Sequence, residues 1–394
     1  MTTIAASSPV LGEDLLARCA ARAGDYDREN QFFAEDFDEL RQAGYLRMPI
    51  PEAFGGLGMT LAQVCQEQRR LAYHAPATAL ATNMHLYWMG VAATLHQMGD
   101  TSCDWMLEEG GRGEVFAAGH GEAGNDLPVL YATARAERAD GGYRVTGHKT
   151  FGSLTPVWTR LGLHAMDVSD PENPTIVHAF MPRETPGYAI QETWDTLGMR
   201  ATASQDTILD GAFVPDAYIG RVLPAGLAGA DLFVLSLFAV VEPTFSNVYI
   251  GIAQRAFDLA IANAQSKTSI ALGGKTMAYN PMIHYLVADM AIDLDAIIAH
   301  VDRITDDWTN GVDHGDLWPA KLVGCKYHCV EAARRIVKGA LDVCGGGAIF
   351  KTNELERLLR DVSLGPVHPA NAALTHEIVG KTYLGVLGQE PRWG

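Results

Sequence analysis

The spacing of apolar residues changes twice along the chain, and this change most restricts the fold. From about residue 10 to 112, apolar residues recur every three to four positions, as in amphipathic helices. From about 113 to 222 the period is two, with a tight turn at Asp140-Gly141-Gly142. From about 226 the helical period returns to the end of the chain. This order predicts an α+β protein with a β domain between two helical domains.

The same change places the domain boundaries near residues 112 and 225. We therefore expect an all-α domain over 1–112, a β domain over 113–225 and a helical domain over 226–394. The clearest helical face of the last domain carries Ile283, Leu286, Val287, Met290, Leu294, Ile297, Ile298 and Val301.

Composition argues against several classes of protein. Lys and Arg total 30 against 47 Asp and Glu, a net charge of −17 that argues against a nucleic acid partner. The densest apolar run, 232–241, is too short to cross a bilayer, and the N-terminus lacks the basic and apolar regions of a signal peptide. The six scattered cysteines fit a reducing compartment. We therefore expect a cytoplasmic protein.

Two segments suggest ligand sites. Residues 119–126, Gly-His-Gly-Glu-Ala-Gly-Asn-Asp, follow an apolar strand, and their backbone N–H groups could hold an anion or the edge of a flat cofactor. A plain turn is the alternative. Cys325, His328 and Cys329 could share a helix face, but no second ligand pair with zinc spacing lies nearby, so we predict no metal.

Three side chains are candidates for proton transfer. His368 lies in a loop after Gly365-Pro366, where the alternative is a surface or capping histidine. His85 lies in an apolar helix, where a hydrogen-bonded core histidine is the alternative. Glu242 follows the apolar run, which should partly bury its carboxylate and raise its pKa, as suits a general base. A helix N-terminal charge is the alternative for Glu242.

Taken together, an ordered set of motifs resembles the acyl-CoA dehydrogenase superfamily of flavoproteins. Residues 51–58, Pro-Glu-Ala-Phe-Gly-Gly-Leu-Gly, are similar to the family's Pro-Glu-x-x-Gly-Gly-x-Gly. Residues 119–126 stand where the family has Thr-Glu-Pro-Gly-Ala-Gly-Ser-Asp, and 147–153 stand where it has Gly-x-Lys-x-Trp-Ile-Thr. Further matches are Leu-Gly-Met-Arg at 197–200, Gly-Ile-Ala-Gln-Arg-Ala at 251–256, Cys-Gly-Gly at 344–346 and Arg-Asp at 360–361.

The resemblance implies an N-terminal helical domain, a middle β-barrel and a C-terminal four-helix bundle, in a homotetramer or homodimer. It implies a flavin, FAD with FMN as the alternative, between the barrel and the bundle. An aromatic wall at Phe151 and a hydroxyl donor at Ser153 would flank the ring. The cofactor contacts that the resemblance implies are Phe116, Ala118, Gly119, Asn125, Phe151, Gly152 and Ser153. It also implies that Gly345 and Gly346 let the backbone of a neighbouring subunit approach the dinucleotide tail.

Three departures from the family pattern bear on the reaction. The position of the family's catalytic Glu after Arg-Asp falls on Pro369, which cannot take a proton. A subgroup carries its Glu at the position of Val241, one residue before Glu242. The segment that holds the FAD pyrophosphate is replaced by 267–275, with Pro281 in place of a Gln.

These departures leave two activities open. The first is an FAD-dependent oxidation of a CH–CH bond in an acyl thioester or similar substrate, with Glu242 or His368 as an atypical base and an electron-transfer partner. The alternative is a two-component monooxygenase that uses reduced flavin from a reductase, and oxygen, on a small aromatic or heteroatom substrate, with His368 and His85 assisting. A third hypothesis is a binding protein that holds no flavin.

Overall fold

The N-terminal part of the chain is helical. The computed structural model describes residues 9–226 and 231–387, so residues 1–8, on which the expectation of no signal peptide rests, lie outside the described residues. A capping box between Thr60 and Gln63 starts the third helix, and Pro76 at the first turn of the fourth separates the two. The helices are α1 (Glu13–Glu29), α2 (Ala34–Gln42), α3 (Leu61–His74), α4 (Pro76–Gln97) and α5 (Asp104–Gly111).

Eight strands form the middle of the molecule as one mixed sheet. The predicted turn at 140–142 is confirmed, since Ala139 pairs with Gly142 in an antiparallel hairpin. The order is β6-β7-β3-β2-β4-β5-β8, and β1 pairs with β4 in parallel. The strands are β1 (Phe116–Gly119), β2 (Arg135–Ala139), β3 (Gly142–Gly152), β4 (Arg160–Asp167), β5 (Thr175–Pro182), β6 (Tyr188–Gln191), β7 (Gln205–Pro215) and β8 (Ile219–Pro224).

The predicted barrel is wrong in one respect, because the sheet does not close. Within the described residues, β6 pairs with β7 and β8 pairs with β5, and no ladder joins these two edge strands. The joint between β2 and β4 is a single residue pair, Arg135 with Met166. The middle domain is therefore a curled sheet with two edges.

The C-terminal part is again helical, and α8 lies at its centre. Helices α6, α7 and α10 all pack against α8. The apolar face predicted from the sequence is on α7, where Ile283, Met290, Leu294, Ile297 and Val301 are buried. The helices are α6 (Leu232–Ser266), α7 (Pro281–Thr309), α8 (Trp318–Cys344), α9 (Glu354–Val362) and α10 (Ala372–Leu384).

Helix α6 contains the apolar run 232–241 and continues far beyond it. Its length and composition would suffice to cross a membrane, but 83% of its most apolar window is buried inside the protein. It packs against α3, α4 and α8. At its start, Phe233 lies 5.0 Å from His178 of β5, measured between ring centres. The helix is therefore the core element that joins the sheet to the C-terminal helices.

Candidate functional site

Strand β1 and the end of strand β3 lie side by side. Gly121 forms an isolated bridge with Thr150, whose N–H donates to the Gly121 carbonyl at 2.8 Å. A Cβ at Gly121 would come within 2.7 Å of the Thr150 hydroxyl, so the close approach requires glycine. This bridge places the end of β1, with Ala118 and Gly119, near the predicted contacts Phe151, Gly152 and Ser153. The ring of Phe116 instead packs in the core against Trp105 and Phe180.

Phe151 and Ser153, the predicted contacts for a planar ring, differ in their surroundings. Phe151 has a left-handed backbone with φ of 60°, and its side chain is 61% exposed beside Trp194. A large exposed aromatic side chain on a strained backbone favours a ligand-binding role. The Ser153 hydroxyl lies 2.7 Å from the Ser204 hydroxyl, which lies 2.7 Å from that of Thr202. The exposed ring of Phe151 could stack on a planar cofactor, whereas the Ser153 hydroxyl is already engaged by Ser204.

A buried ion pair holds the glycine-rich loop 119–126. Glu122 accepts hydrogen bonds from Lys149 Nζ at 2.6 Å, the Thr133 N–H at 2.8 Å and the Ala134 N–H at 2.9 Å. Burial alone would raise the pKa of Glu122, but Lys149 and the two N–H groups lower it. Burial lowers the pKa of Lys149 to about 8. Loop 119–126 is therefore held by the buried contacts of Glu122 with Lys149 of β3 and with two main-chain N–H groups.

Asn125 belongs to the same loop and contributes to its shape. Its amide Nδ2 donates to Glu122 Oε2 at 3.0 Å and to the Tyr131 carbonyl at 2.6 Å. Its Oδ1 accepts from the Leu127 N–H at 3.0 Å. These bonds point to a role in shaping the loop, beside the cofactor contact that the sequence suggests.

Glu242 lies on α6 with its side chain completely buried. Its Oε1 accepts a hydrogen bond from the Ala370 N–H at 3.0 Å. Burial raises the pKa of Glu242 to about 8, although the nearby Lys326 acts in the opposite direction. The burial and the raised pKa agree with the sequence prediction, and burial is complete where partial burial was expected.

His368 lies two residues before Ala370, in the segment between α9 and α10. Its ring contacts Phe245 and Tyr249 of α6, with ring centres 4.8 Å and 6.0 Å apart. Burial, followed by the charge of Lys326, lowers the pKa of His368 to about 3, so the ring is neutral. The structure thus brings the two proposed bases, Glu242 and His368, to the same loop.

His85 has both ring nitrogens engaged by the backbone. Its Nε2 lies 3.0 Å from the Leu46 carbonyl, and its Nδ1 accepts from the Phe116 N–H at 3.1 Å. Burial lowers the pKa of His85 to about 4. These contacts favour the alternative of a core histidine, which here attaches β1 to α4.

The remaining predicted residues lie on the C-terminal helices. Gly345 follows α8 with a φ of 69°, and the Lys267 ammonium donates to the neighbouring Cys344 carbonyl at 3.2 Å. Cys325 and Cys329 are buried, whereas His328 pairs with His300 of α7 at 3.1 Å between their Nδ1 atoms. The histidine and the two thiols therefore do not converge.

Sequence reasoning missed a row of buried histidines and one lysine. His164 of β4 is paired in register with His178 of β5, and His120 lies 5.0 Å from His164 between ring centres. Lys326 is 1% exposed and binds the loop that carries His368. A signal for Lys326 is present in the sequence, because it shares the apolar face of α8 with Leu322 and Val330.

Two family models and several known proteins match this chain. The family model for the acyl-CoA dehydrogenase N-terminal domain matches residues 14–102, and that for the C-terminal domain matches 244–372. L-evernosamine nitrososynthase of Micromonospora sp. is 28% identical over 364 residues, covering 89% of this chain and 84% of that protein. Cyclohex-1-ene-1-carbonyl-CoA dehydrogenase of Geobacter metallireducens is 26% identical over 378 residues, covering 93% of each.

Solved structures show the same fold along nearly the whole chain. A nitrososynthase from Micromonospora carbonacea var. africana has a TM-score of 0.82 and 25% identity, covering 94% of each chain. KijD3, in complex with FMN and a dTDP-linked amino sugar, has a TM-score of 0.81 and 25% identity, covering 95% of this chain and 92% of its own.

Proposed function

Because the chain belongs to the acyl-CoA dehydrogenase superfamily of flavin-dependent oxidoreductases, we propose that it is a flavin-dependent monooxygenase. The substrate is a small aromatic or heteroatom-bearing molecule. Bound reduced flavin supplies two electrons, so that one atom of O₂ enters the product and the other leaves as water. A separate flavin reductase is the partner that supplies the reduced flavin.

The observation that carries the proposal is the enclosure of Glu242. An acyl-CoA dehydrogenase needs a carboxylate that reaches the α-proton of its substrate. Proline occupies the usual position here, and Glu242 is fully buried with Oε1 bonded to the Ala370 N–H. A monooxygenase needs no such base, so the arrangement favours oxygen chemistry.

The chain's own residues supply the rest of the proposed site. His368 brings a neutral imidazole whose buried Nδ1 has no hydrogen-bond partner among the described residues, so this nitrogen is free to form a hydrogen bond with a substrate. Phe151 limits the position of the flavin ring, and Ser153 offers a hydroxyl contact. His85 acts indirectly, by fixing the strand that carries Phe116.

The choice between FAD and FMN depends on the segment after α6. Lys267 donates to the Cys344 carbonyl, and Lys275 lies over the Tyr279 ring at 5.4 Å. Both lysines thus interact within the protein, and residues 267–275 contain no Arg. We therefore favour FMN over the FAD that the resemblance suggests, as in the KijD3 complex.

We further infer a cytoplasmic homotetramer or homodimer. Large apolar side chains are exposed on and beside the C-terminal helices, and covering them would require a second copy of the chain. They are Ile270, Tyr279, Met282, Tyr285, Ile292, Ile349 and Phe350.

Rapid mixing tests the proposed reaction. Protein loaded with reduced FMN is mixed with oxygen and candidate substrates, and we expect an oxygen-dependent absorbance transient followed by oxygenated product. In His368→Ala, product should fall at least tenfold while FMN still binds. Binding of neither oxidised nor reduced flavin would instead support a flavin-free binding protein.

Acyl-thioester oxidation is the second candidate, because one oxygen of Glu242, Oε2, has no partner among the described residues. In that case, anaerobic mixing with an acyl-CoA should bleach the flavin, and Glu242→Gln should abolish the bleaching. Bleaching of this kind would overturn the monooxygenase proposal.

A further inference from the structure

The ammonium group of Lys326 is enclosed by main-chain oxygens. Its Nζ lies 3.1 Å from the Gly365 carbonyl, 2.7 Å from that of His368 and 3.0 Å from that of Ala370. An ammonium has three donors, so this arrangement can use all of them. The three carbonyls belong to one short segment, 365–370, which joins α9 to α10.

Glu242 holds the same segment from α6. Its Oε1 accepts a hydrogen bond from the Ala370 N–H. Ala370 is therefore bound through its N–H by α6 and through its carbonyl by α8. Both side chains are almost completely removed from solvent. Breaking their hydrogen bonds would leave buried polar groups without partners, which costs free energy.

The ring of His368 depends on that geometry. It contacts Phe245 and Tyr249 through edge-on aromatic packing, and its Nδ1 has no partner among residues 9–226 and 231–387. The ring is therefore placed by the backbone that carries it, and the backbone is placed by Lys326 and Glu242.

We propose that Lys326, together with Glu242, is a positioning residue that holds the His368 ring beside Phe245 and Tyr249. The relevance of this positioning to catalysis rests on the proposed function, in which His368 serves the reaction. The positioning itself is measured on the full chain without flavin or substrate, so it can fail or succeed independently of the reaction.

The first test is hydrogen exchange of peptides covering 362–372. In Lys326→Met, a variant of similar length without the charge, we expect exchange to accelerate roughly tenfold or more, because the three hydrogen bonds that restrain the segment are lost together. Lys326→Arg keeps donors and should retain more protection than Met. If the side chain only filled space, Met would protect as well as Lys, and the proposal would be wrong.

The second test follows the reaction of His368 with diethyl pyrocarbonate, read at that site by mass spectrometry. In the wild type the reactivity should change little between about pH 5.5 and about pH 8, because the ring stays neutral. In Lys326→Met, reactivity should rise and follow an ordinary imidazole titration near pH 6.5. An unchanged profile in that variant would contradict the proposal.

Matched variants separate positioning from folding and from base catalysis. Lys321→Met changes another lysine of α8 and should leave both measurements unchanged. Should Lys326→Met fail to fold, Glu242→Leu removes the other contact and should loosen the same segment. Glu242→Gln keeps an acceptor for Ala370 and should preserve exchange protection. Loss of that protection in Glu242→Gln would count against the role assigned to Glu242.

Discussion

Two lysines of this chain are 1% exposed, and each uses its charge to fix a loop of the proposed site. Lys149 binds Glu122 and so shapes the glycine-rich loop, while Lys326 binds the segment that carries His368. Removing one partner of a buried ion pair leaves an uncompensated charge, which costs more than the pair contributed. At the residue scale we therefore expect the loss of Lys149 to be costly, because its partner Glu122 is buried.

We expect Lys149→Met to lower the free energy of unfolding by about 3–5 kcal/mol, since Glu122 would lose its charged partner. Urea denaturation of the purified protein measures this loss. Arg334→Met is the control, because its pair with Glu331 is half-exposed and should contribute less than about 1 kcal/mol. Equal effects of the two variants would contradict the importance given to burial.

Phe151→Ala should weaken FMN binding by roughly tenfold, the effect of losing an aromatic stacking contact. The melting temperature should change little, because the side chain is 61% exposed. Fluorescence titration with FMN and a thermal melt measure the two quantities. Tyr383→Ala, at an exposed aromatic outside the site, should leave FMN affinity unchanged; unaltered binding in Phe151→Ala would remove this residue from the site.

At the scale of elements, adjacent strands carry a row of buried imidazoles. His120 follows β1, His164 lies on β4 and His178 on β5, and Arg221 of β8 is paired with His178. Burial lowers the pKa of all three histidines, and nearby cationic groups, including Lys149, lower it further. Protonation of these rings therefore destabilises the folded sheet.

This row predicts a loss of stability in acid. The pKa of His178 is lowered to about 3, so between pH 3 and its ordinary value near 6.5 the unfolded chain binds a proton that the folded chain does not. His178 therefore does not reduce the free energy of unfolding above about pH 6.5. Below that pH it reduces this free energy by about 1.4 kcal/mol per pH unit. The melting temperature of His178→Phe should therefore fall less between about pH 7 and about pH 5 than that of the wild type.

His376→Phe provides the control for that measurement, because His376 is exposed on α10. The melting temperature of His376→Phe should fall between about pH 7 and about pH 5 by as much as that of the wild type. An unchanged response in His178→Phe would show that this ring becomes protonated without cost in the folded protein.

The order of helices and strands was predictable from the sequence, whereas the contacts between distant elements were not. Periodicity and motifs predicted the helix–strand–helix order and the burial of Glu242, because these depend on local spacing. The row of histidines and the Glu242–Lys326 pair depend on strand register and on helices distant in sequence, which spacing does not encode. The open sheet was missed for the same reason, since closure depends on whether two edge strands meet.

At the scale of the whole molecule, one cluster joins the N-terminal helices, the connection between β6 and β7, and the C-terminal helices. Arg360 of α9 donates to both carboxylate oxygens of Asp27 on α1, at 2.9 and 2.6 Å, and to the Leu197 carbonyl at 3.1 Å. Beside it, the Met199 N–H donates to Asp361 at 2.6 Å, and Arg200 donates to the Asp27 carbonyl at 2.9 Å. This cluster links the three parts of the chain.

We expect Arg360→Ala to lower the free energy of unfolding by about 2 kcal/mol, the order of a bidentate charged hydrogen bond that is partly buried. Urea denaturation followed by both circular dichroism and tryptophan fluorescence is the measurement. Arg41→Ala, whose pair with Asp38 is more than half exposed, should cost less than about 1 kcal/mol. A loss in Arg360→Ala no larger than in the control would show that the cluster does not stabilise the assembly of the three parts.

The hydrogen bonds that hold segment 365–370 also affect how the chemistry of such a protein can change during evolution. Lys326 and Glu242 contact only carbonyl and N–H groups there, which every residue except proline provides in the same form. Side chains at positions such as 368 and 369 can therefore be exchanged while the path of the chain is kept. A scaffold that secures a catalytic loop by its main chain leaves the reactive group free to vary, so that an ancestor with one reaction can give rise to descendants with another.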